Sequence, residues 1–155
     1  MALFNLTDLA SQLGAGMRLL GLDPGTKRIG VALSDVDRRV ATPYGVLARA
    51  KLSQNAAELS AIAQREGAGG LIIGLPLDEL GRSAQAARDW AHALSTATGL
   101  PAALIDESFT TADAHERMIE AGVSRARRAE LVDRMAAAAI LQAALGRCWL
   151  DRDSR

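Results

Sequence analysis

Three acidic side chains stand in sequence contexts where a carboxylate can do chemistry. Asp23 closes the apolar run "MRLLGLD" and is followed at once by the turn "PGTK". Glu107 comes directly after "PAALID", a second apolar run that ends in acid. Asp133 lies in "LVDRMAAAAILQ", on one helical face with Ala136, Ala137, Ile140, Leu141 and Ala144. A carboxylate at the lip of a core strand, or on the packed side of a helix, needs a partner, because burying it unpaired is costly. Singly, Asp23 and Glu107 fit turn-capping carboxylates, and Asp133 fits a salt bridge to Arg125, Arg127, Arg128 or Arg134. Together the three fit another chemistry. Converging carboxylates repel one another unless divalent cations neutralise them, and Mg²⁺ or Mn²⁺ takes such oxygen donors while bridging to substrate phosphates. Two such ions about 4 Å apart activate a water and stabilise the leaving oxygen of a phosphodiester.

That chemistry requires elements that bring the three together. From Met17, "MRLLGLD" and "RIGVALSD" read as strands joined by the tight turn, hence an antiparallel hairpin. "RVATPYGVLAR" supplies a third strand, with Pro43 favouring a sheet edge. Ser53 is the expected N-cap of a helix with Ala56, Leu59, Ile62 and Ala63 on one face and Gly67 as its stop. "GLIIG" (70–74) has the continuous apolar character of a strand covered on both faces. After the loop "LPLDELGRS" come a helix from about Ala84 to Thr98, the strand "PAALID", a helix from Thr110 or Thr111 to Gly122, and a last helix from Ser124 through about Cys148. Right-handed crossovers set the later strands parallel to the first, which gives an α/β fold with a mixed five-stranded sheet and helices on both faces. Ligands gather at the carboxyl ends of parallel strands. Asp23 and Glu107 then project into one crevice, and Asp133 meets them across the sheet edge.

Residues 17–148 form this domain, preceded by an extension (1–16) and followed by a tail (149–155). Leu3, Leu6, Leu9, Ala10 and Leu13 recur at helical spacing, so the extension is expected to carry a short helix that covers an exposed surface and ends at Gly14 and Gly16. Eighteen basic and eighteen acidic side chains cancel, so any nucleic-acid binding must come from a local patch. The single cysteine, Cys148, excludes an internal disulfide and fits a reducing cytoplasm. No apolar run approaches the roughly 20 residues that span a bilayer, and the first residues lack the basic start of a secretory signal. No membrane partner is expected.

The motifs "LGLDPGTKRIGVALSD", "LIIGLPL", "LIDESFTTADA" and "LVDRMAAAAILQ", in this order between Met17 and Leu145, resemble the YqgF (RuvX) family. Its members are RNase H-like proteins first described as Holliday junction resolvases and later assigned to maturation of the 5′ end of pre-16S ribosomal RNA. The resemblance implies an RNase H-like fold, a cytoplasmic bacterial nuclease and a two-metal centre with Mg²⁺ or Mn²⁺. It matches Asp23, Glu107 and Asp133 to the family's acidic positions, and Lys27 and Arg28, with Thr26 beside them, to its phosphate-contacting loop. The implied substrate is structured RNA, pre-16S rRNA or a pre-ribosomal particle, bound by a monomer or homodimer. Where the family often has Asp-Glu-Arg, this chain has Asp106-Glu107-Ser108, so one basic contact is missing.

Arg125, Arg127 and Arg128 form the densest basic stretch and offer a phosphate track, or simply a solvated helix face. Arg82, in the loop after the fourth strand, is a further candidate to reach the crevice. His92 and His115 read as ordinary helix residues, and Trp90 and Trp149 as packing rather than base-stacking groups. "DPGTKRIG" also fits the phosphate turn of actin-like and sugar-kinase ATPases, but those need two related domains, and 155 residues supply one. Two other functions share the fold: a junction-resolving DNA endonuclease, which requires a dimer, and a non-catalytic RNA-binding assembly factor. The filled acidic positions speak against the last.

Overall fold

A computed structural model describes residues 3–75, 82–106 and 119–147. The elements in chain order are β1 (Leu3–Phe4), α1 (Leu6–Gln12), β2 (Arg18–Pro24), β3 (Arg28–Ser34), β4 (Ala41–Ala48), α2 (Leu52–Glu66), β5 (Ala68–Leu75), α3 (Arg82–Thr98), β6 (Ala102–Asp106) and α4 (Arg125–Leu145). The five strands expected from the sequence are all present, and Leu3–Phe4 adds a sixth, so the sheet order is β1-β6-β5-β2-β3-β4. β1, β6, β5 and β2 run parallel, while β3 and β4 continue antiparallel from β2. β4 lies at an edge, as Pro43 required.

Strand alternation divides the apolar residues between two cores. Leu20, Leu22, Ile29, Val31, Leu71 and Ile73 face α2 and α3. Leu19, Ala32, Ile72, Ala103 and Ile105 face the other side, where Ala137, Ile140 and Leu141 of α4 and Leu9 of α1 complete the packing. Leu9 is fully buried, so the extension is built into the second core rather than laid over it. By the same alternation Gly21 and Asp23 belong to the α4 face of β2.

Helix ends follow their local chemistry. α2 stops at Gly67 in the left-handed region, φ 72°. Ser124 caps α4, its Oγ accepting from the Arg127 N–H at 3.3 Å. The α2 start differs from expectation: the helix begins at Leu52, with Lys51 at the cap position, and Ser53 already lies inside it. No side chain caps this start; buried Asn55 instead ties the first turn to the preceding segment, its Oδ1 accepting from the Ala50 N–H at 2.9 Å and its Nδ2 donating to Ala48 O at 3.1 Å. The helix expected to start at Thr110 or Thr111 falls largely outside the described residues; its end at Gly122 shows as a left-handed turn, φ 78°. Among the described residues no helix is long and apolar enough to cross a membrane.

Candidate active site

The β2–β3 hairpin pairs Asp23 with Gly30. Helix α4 lies directly on that glycine: a Cβ there would stand 2.0 Å from the carbonyl oxygen of Asp133 and 2.7 Å from its carbonyl carbon. A second close approach occurs at Gly21, where a Cβ would meet Leu141 Cβ at 2.6 Å and Ala137 O at 3.0 Å. One glycine on each strand, Gly21 and Gly30, therefore lets the helix settle onto the sheet. The consequence is local: Asp133 is brought alongside the residue that pairs with Asp23. At the far end Gln142 pins the helix, donating to Arg39 O and accepting from the Ala41 N–H, both at 2.9 Å.

The two carboxylates sense each other. Burial pushes the Asp23 carboxyl above its usual range, and the charge of Asp133 pushes it further. Asp133 is held by a cation that the sequence reading did not choose. Arg28 Nε donates to Asp133 Oδ2 at 2.6 Å, across the hairpin rather than along the helix. The signal was available: Arg28 precedes Gly30 by two residues on the same strand, so it shares the face on which Asp133 sits. Three of the four helix arginines are engaged elsewhere. Arg127 and Arg134 both bind Glu130, and Arg128 Nη1 donates to Val123 O at 3.1 Å. The Arg134 hydrogen bond is the main force holding Glu130 below its usual carboxylate range.

Asp23 and Asp133 thus come together, with Arg28 between solvent and the helix carboxylate. Thr26 and Lys27 are exposed at the tip of the same hairpin, and Arg125 and Arg127 are exposed on the first turn of α4. Glu107 lies outside the described residues, as do His115, Cys148 and Trp149. Ile105, two residues before Glu107, faces α4. Arg82 opens α3, and its side chain is also outside what is described. Among the described residues no group of three acidic, histidine or cysteine side chains is placed to hold a metal. Asp23 and Asp133 are the two oxygen donors the described residues bring together.

The other face of the hairpin tip carries a feature the sequence reading missed. Pro24, Gly25 and Thr26 border a cleft of about 320 Å³ whose far side is Trp90 and Ala87 of α3. The Arg49 guanidinium stands 5.1 Å from the centre of the Trp90 ring. Arg49 was not singled out, because nothing in its sequence context marks it; only the fold brings the end of β4 against α3.

Known proteins resemble this one over nearly its whole length. The family model described as "RuvX: Holliday junction resolvase" matches residues 17–147. A protein of Acidiphilium cryptum named "Putative pre-16S rRNA nuclease" is 57% identical over 148 residues, covering 94% of each chain. One of Gluconacetobacter diazotrophicus, with the same name, is 54% identical over 149 residues, covering 94% of this chain and 97% of its own. Among solved structures, Thermus thermophilus RuvC in complex with a Holliday junction substrate matches with a TM-score of 0.52 at 17% identity. That match covers 84% of this chain and 95% of the other, and the likeness is one of fold.

Proposed function

The chain belongs to the RuvX family of nucleases, and from that membership we propose that it hydrolyses phosphodiester bonds of pre-16S ribosomal RNA, at a centre built on Asp23, Asp133 and Glu107. The observation that carries the reading is the seating of the Asp133 backbone on Gly30, which sets a second carboxylate beside Asp23 at one strand end. Two carboxylates in mutual repulsion, one half-buried and one needing an arginine for company, are a donor set suited to Mg²⁺ or Mn²⁺. Bound there, such ions supply Lewis-acid activation of water and stabilisation of the leaving oxygen. Glu107, which follows the α4-facing Ile105 by two residues, is the third donor proposed. Lys27 and Arg28, with Thr26, sit where substrate phosphates approach the hairpin tip, and Arg125, Arg127 and Arg128 extend that basic surface along α4. Arg82, at the start of α3, is the further phosphate contact proposed.

The relatives' printed name supports pre-16S rRNA as the substrate; action in the cytoplasm, on free precursor or on a pre-ribosomal particle, is a further part of the proposal. The family's description favours a second substrate, the four-way DNA junction, which a homodimer would engage through two centres. One experiment decides. End-labelled precursor rRNA and junction DNA are incubated with Mg²⁺ or Mn²⁺ and either the native protein or Asp23→Asn, which removes one negative charge while keeping the shape. Metal-dependent cutting of the RNA that the substitution abolishes is the expected result. Cutting of the junction alone would replace the substrate. A protein that binds RNA equally well with and without Asp23 and cuts nothing would sink the nuclease reading.

A further inference from the structure

The cleft on the far side of the hairpin tip shares Thr26 with the proposed phosphate loop but contains none of the carboxylates of the proposed hydrolytic centre. Asp23 belongs to the α4 face of the sheet, and the next residue, Pro24, borders a space that opens toward α3. The cleft therefore begins one residue from the proposed centre but on the opposite side of the strand. Its volume of about 320 Å³ lies at the small end of ligand clefts, the scale of a single nucleotide rather than an extended segment.

Its walls have a definite chemistry. Trp90 is half-buried and packs against the first core, while its exposed part lines the cleft together with the small side chains of Ala86 and Ala87, one turn earlier on α3. Arg49 is exposed, and among the described residues it is in no ion pair. Among the described residues its charge meets the Trp90 ring and the Gly25 carbonyl, to which Nη1 donates at 2.8 Å. The Arg49 backbone is fixed before any ligand arrives. Its N–H donates to Lys27 O at 2.9 Å, and buried Asn55 holds both neighbours, Ala48 and Ala50. An aromatic ring at the edge of a cleft, with an arginine over it that pairs with no carboxylate among the described residues, is a pairing suited to an unstacked base and its phosphate.

We infer that this cleft is a nucleotide subsite, in which one unpaired base of the substrate strand stacks on Trp90 while Arg49 holds the adjoining phosphate. The inference rests on the proposed nuclease function for its substrate class. A strand crossing the hairpin tip places a phosphate at Asp23 on one side and the neighbouring base in the cleft on the other. The subsite thus selects substrates that are single-stranded next to the cut.

Trp149→Phe leaves Trp90 as the sole tryptophan. This full-length variant, in EDTA so that nothing is cut, is titrated with a single-stranded RNA pentamer. The comparison ligands are the same pentamer with an abasic site at each position in turn, and a blunt RNA duplex. Saturable quenching of Trp90 fluorescence by the pentamer is expected. One abasic position should weaken binding about 5- to 100-fold, and the duplex should leave the fluorescence unchanged. Trp90→Ala should lose the same factor, whereas Trp90→Phe, which keeps a stacking face, should stay within about threefold. Arg49→Gln should weaken binding and lower the salt dependence by about one phosphate contact. Binding with unchanged Trp90 fluorescence and no abasic penalty would overturn the subsite without any mutation being needed, and so would failure of the pentamer to bind. The two readings fail separately. A protein that cuts normal and abasic RNA equally keeps the hydrolytic centre and loses the subsite. A base-dependent quench in a protein that cuts nothing keeps the subsite and loses the nuclease.

Discussion

Replacing Gly30 with alanine tests whether the helix–sheet contact builds the active site. The added methyl would stand 2.0 Å from a backbone carbonyl oxygen, where ordinary contact begins at 3.4 Å, so the Asp133 carbonyl must retreat by about 1.4 Å. No flexible side chain can absorb that. The neighbouring Gly21 contact and the Gln142 hydrogen bonds hold the rest of α4 in place, so the helix has to tilt at its Asp133 end. Overpacking of this kind costs about 3 kcal/mol, the upper part of the usual range, because the obstacle is main chain. For a domain of this size that lowers Tm by roughly 6–12 °C. The functional loss should be larger than the stability loss implies, since a displacement near 1 Å at reacting groups costs on the order of 100-fold in rate. The assay is metal-dependent cleavage measured well below the variant's own Tm, beside thermal unfolding. Gly45→Ala is the control, because a Cβ at Gly45 meets nothing within 4 Å. A Gly30→Ala protein with native Tm and native activity would refute the claim that this contact positions Asp133.

Four further outcomes are expected. In EDTA at neutral pH, Asp23→Asn should raise Tm, because it removes a carboxylate that burial and Asp133 both disfavour as an anion; a lower Tm would contradict this, and the native protein's gain in Tm on adding Mg²⁺ or Mn²⁺ should vanish in the variant. Arg28→Ala breaks an ion pair whose side chains are 48% and 26% exposed, so stability should fall by less than about 1 kcal/mol; divalent-ion stabilisation should grow, and an unchanged response would show that Arg28 does not compete for Asp133. Asn55→Ala leaves the part-buried Ala48 carbonyl and Ala50 N–H without their partner, costing about 1–2 kcal/mol by chemical denaturation; a loss under about 0.5 kcal/mol would mean water replaces the amide. Burial acts against ionised Asp35, but the backbone N–H groups of Val40 and Arg39 outweigh it and hold its carboxyl below the ordinary 3.8. A depressed folded value makes that stabilisation complete above the unfolded value and lost as pH falls through the folded one. The Tm difference between the native protein and Asp35→Asn should therefore shrink on acidification below about pH 4, and a constant difference would count against it.

Local patterns in the chain carried the sheet. Apolar runs on either side of the turn-forming "PGTK" identified the hairpin, "LIIG" a strand covered on both faces, and "AALID" a further strand; all three stand where expected. The face of α4 was readable too, because its alanines and Asp133 follow one helical stripe. What could not be read were contacts between elements far apart in sequence. Arg28 and Asp133 are 105 residues apart, and only the depth to which α4 sinks onto Gly30 brings them together. Arg49 and Trp90 met for the same kind of reason, once the end of β4 came to rest beside α3. Ser53 misled because the helix starts one residue earlier, at Leu52, with no side-chain cap, and its first turn is tied to the preceding segment by buried Asn55, two residues on.

The pairing of Leu3–Phe4 with Ala102 and Ala103 bears on how copies of this protein avoid one another. Without it, β6 would present a row of unpaired backbone donors and acceptors, a template for strand addition by any neighbouring chain. The added strand is only two residues long, too short to offer the same invitation again. At the opposite margin β4 contains Pro43, which has no N–H to donate, and a break in register where Val31 gives way to Ala32 on its partner strand. Among the described residues both borders of the sheet are therefore blunted against intermolecular extension, which lets the protein reach high local concentration without strand-to-strand association.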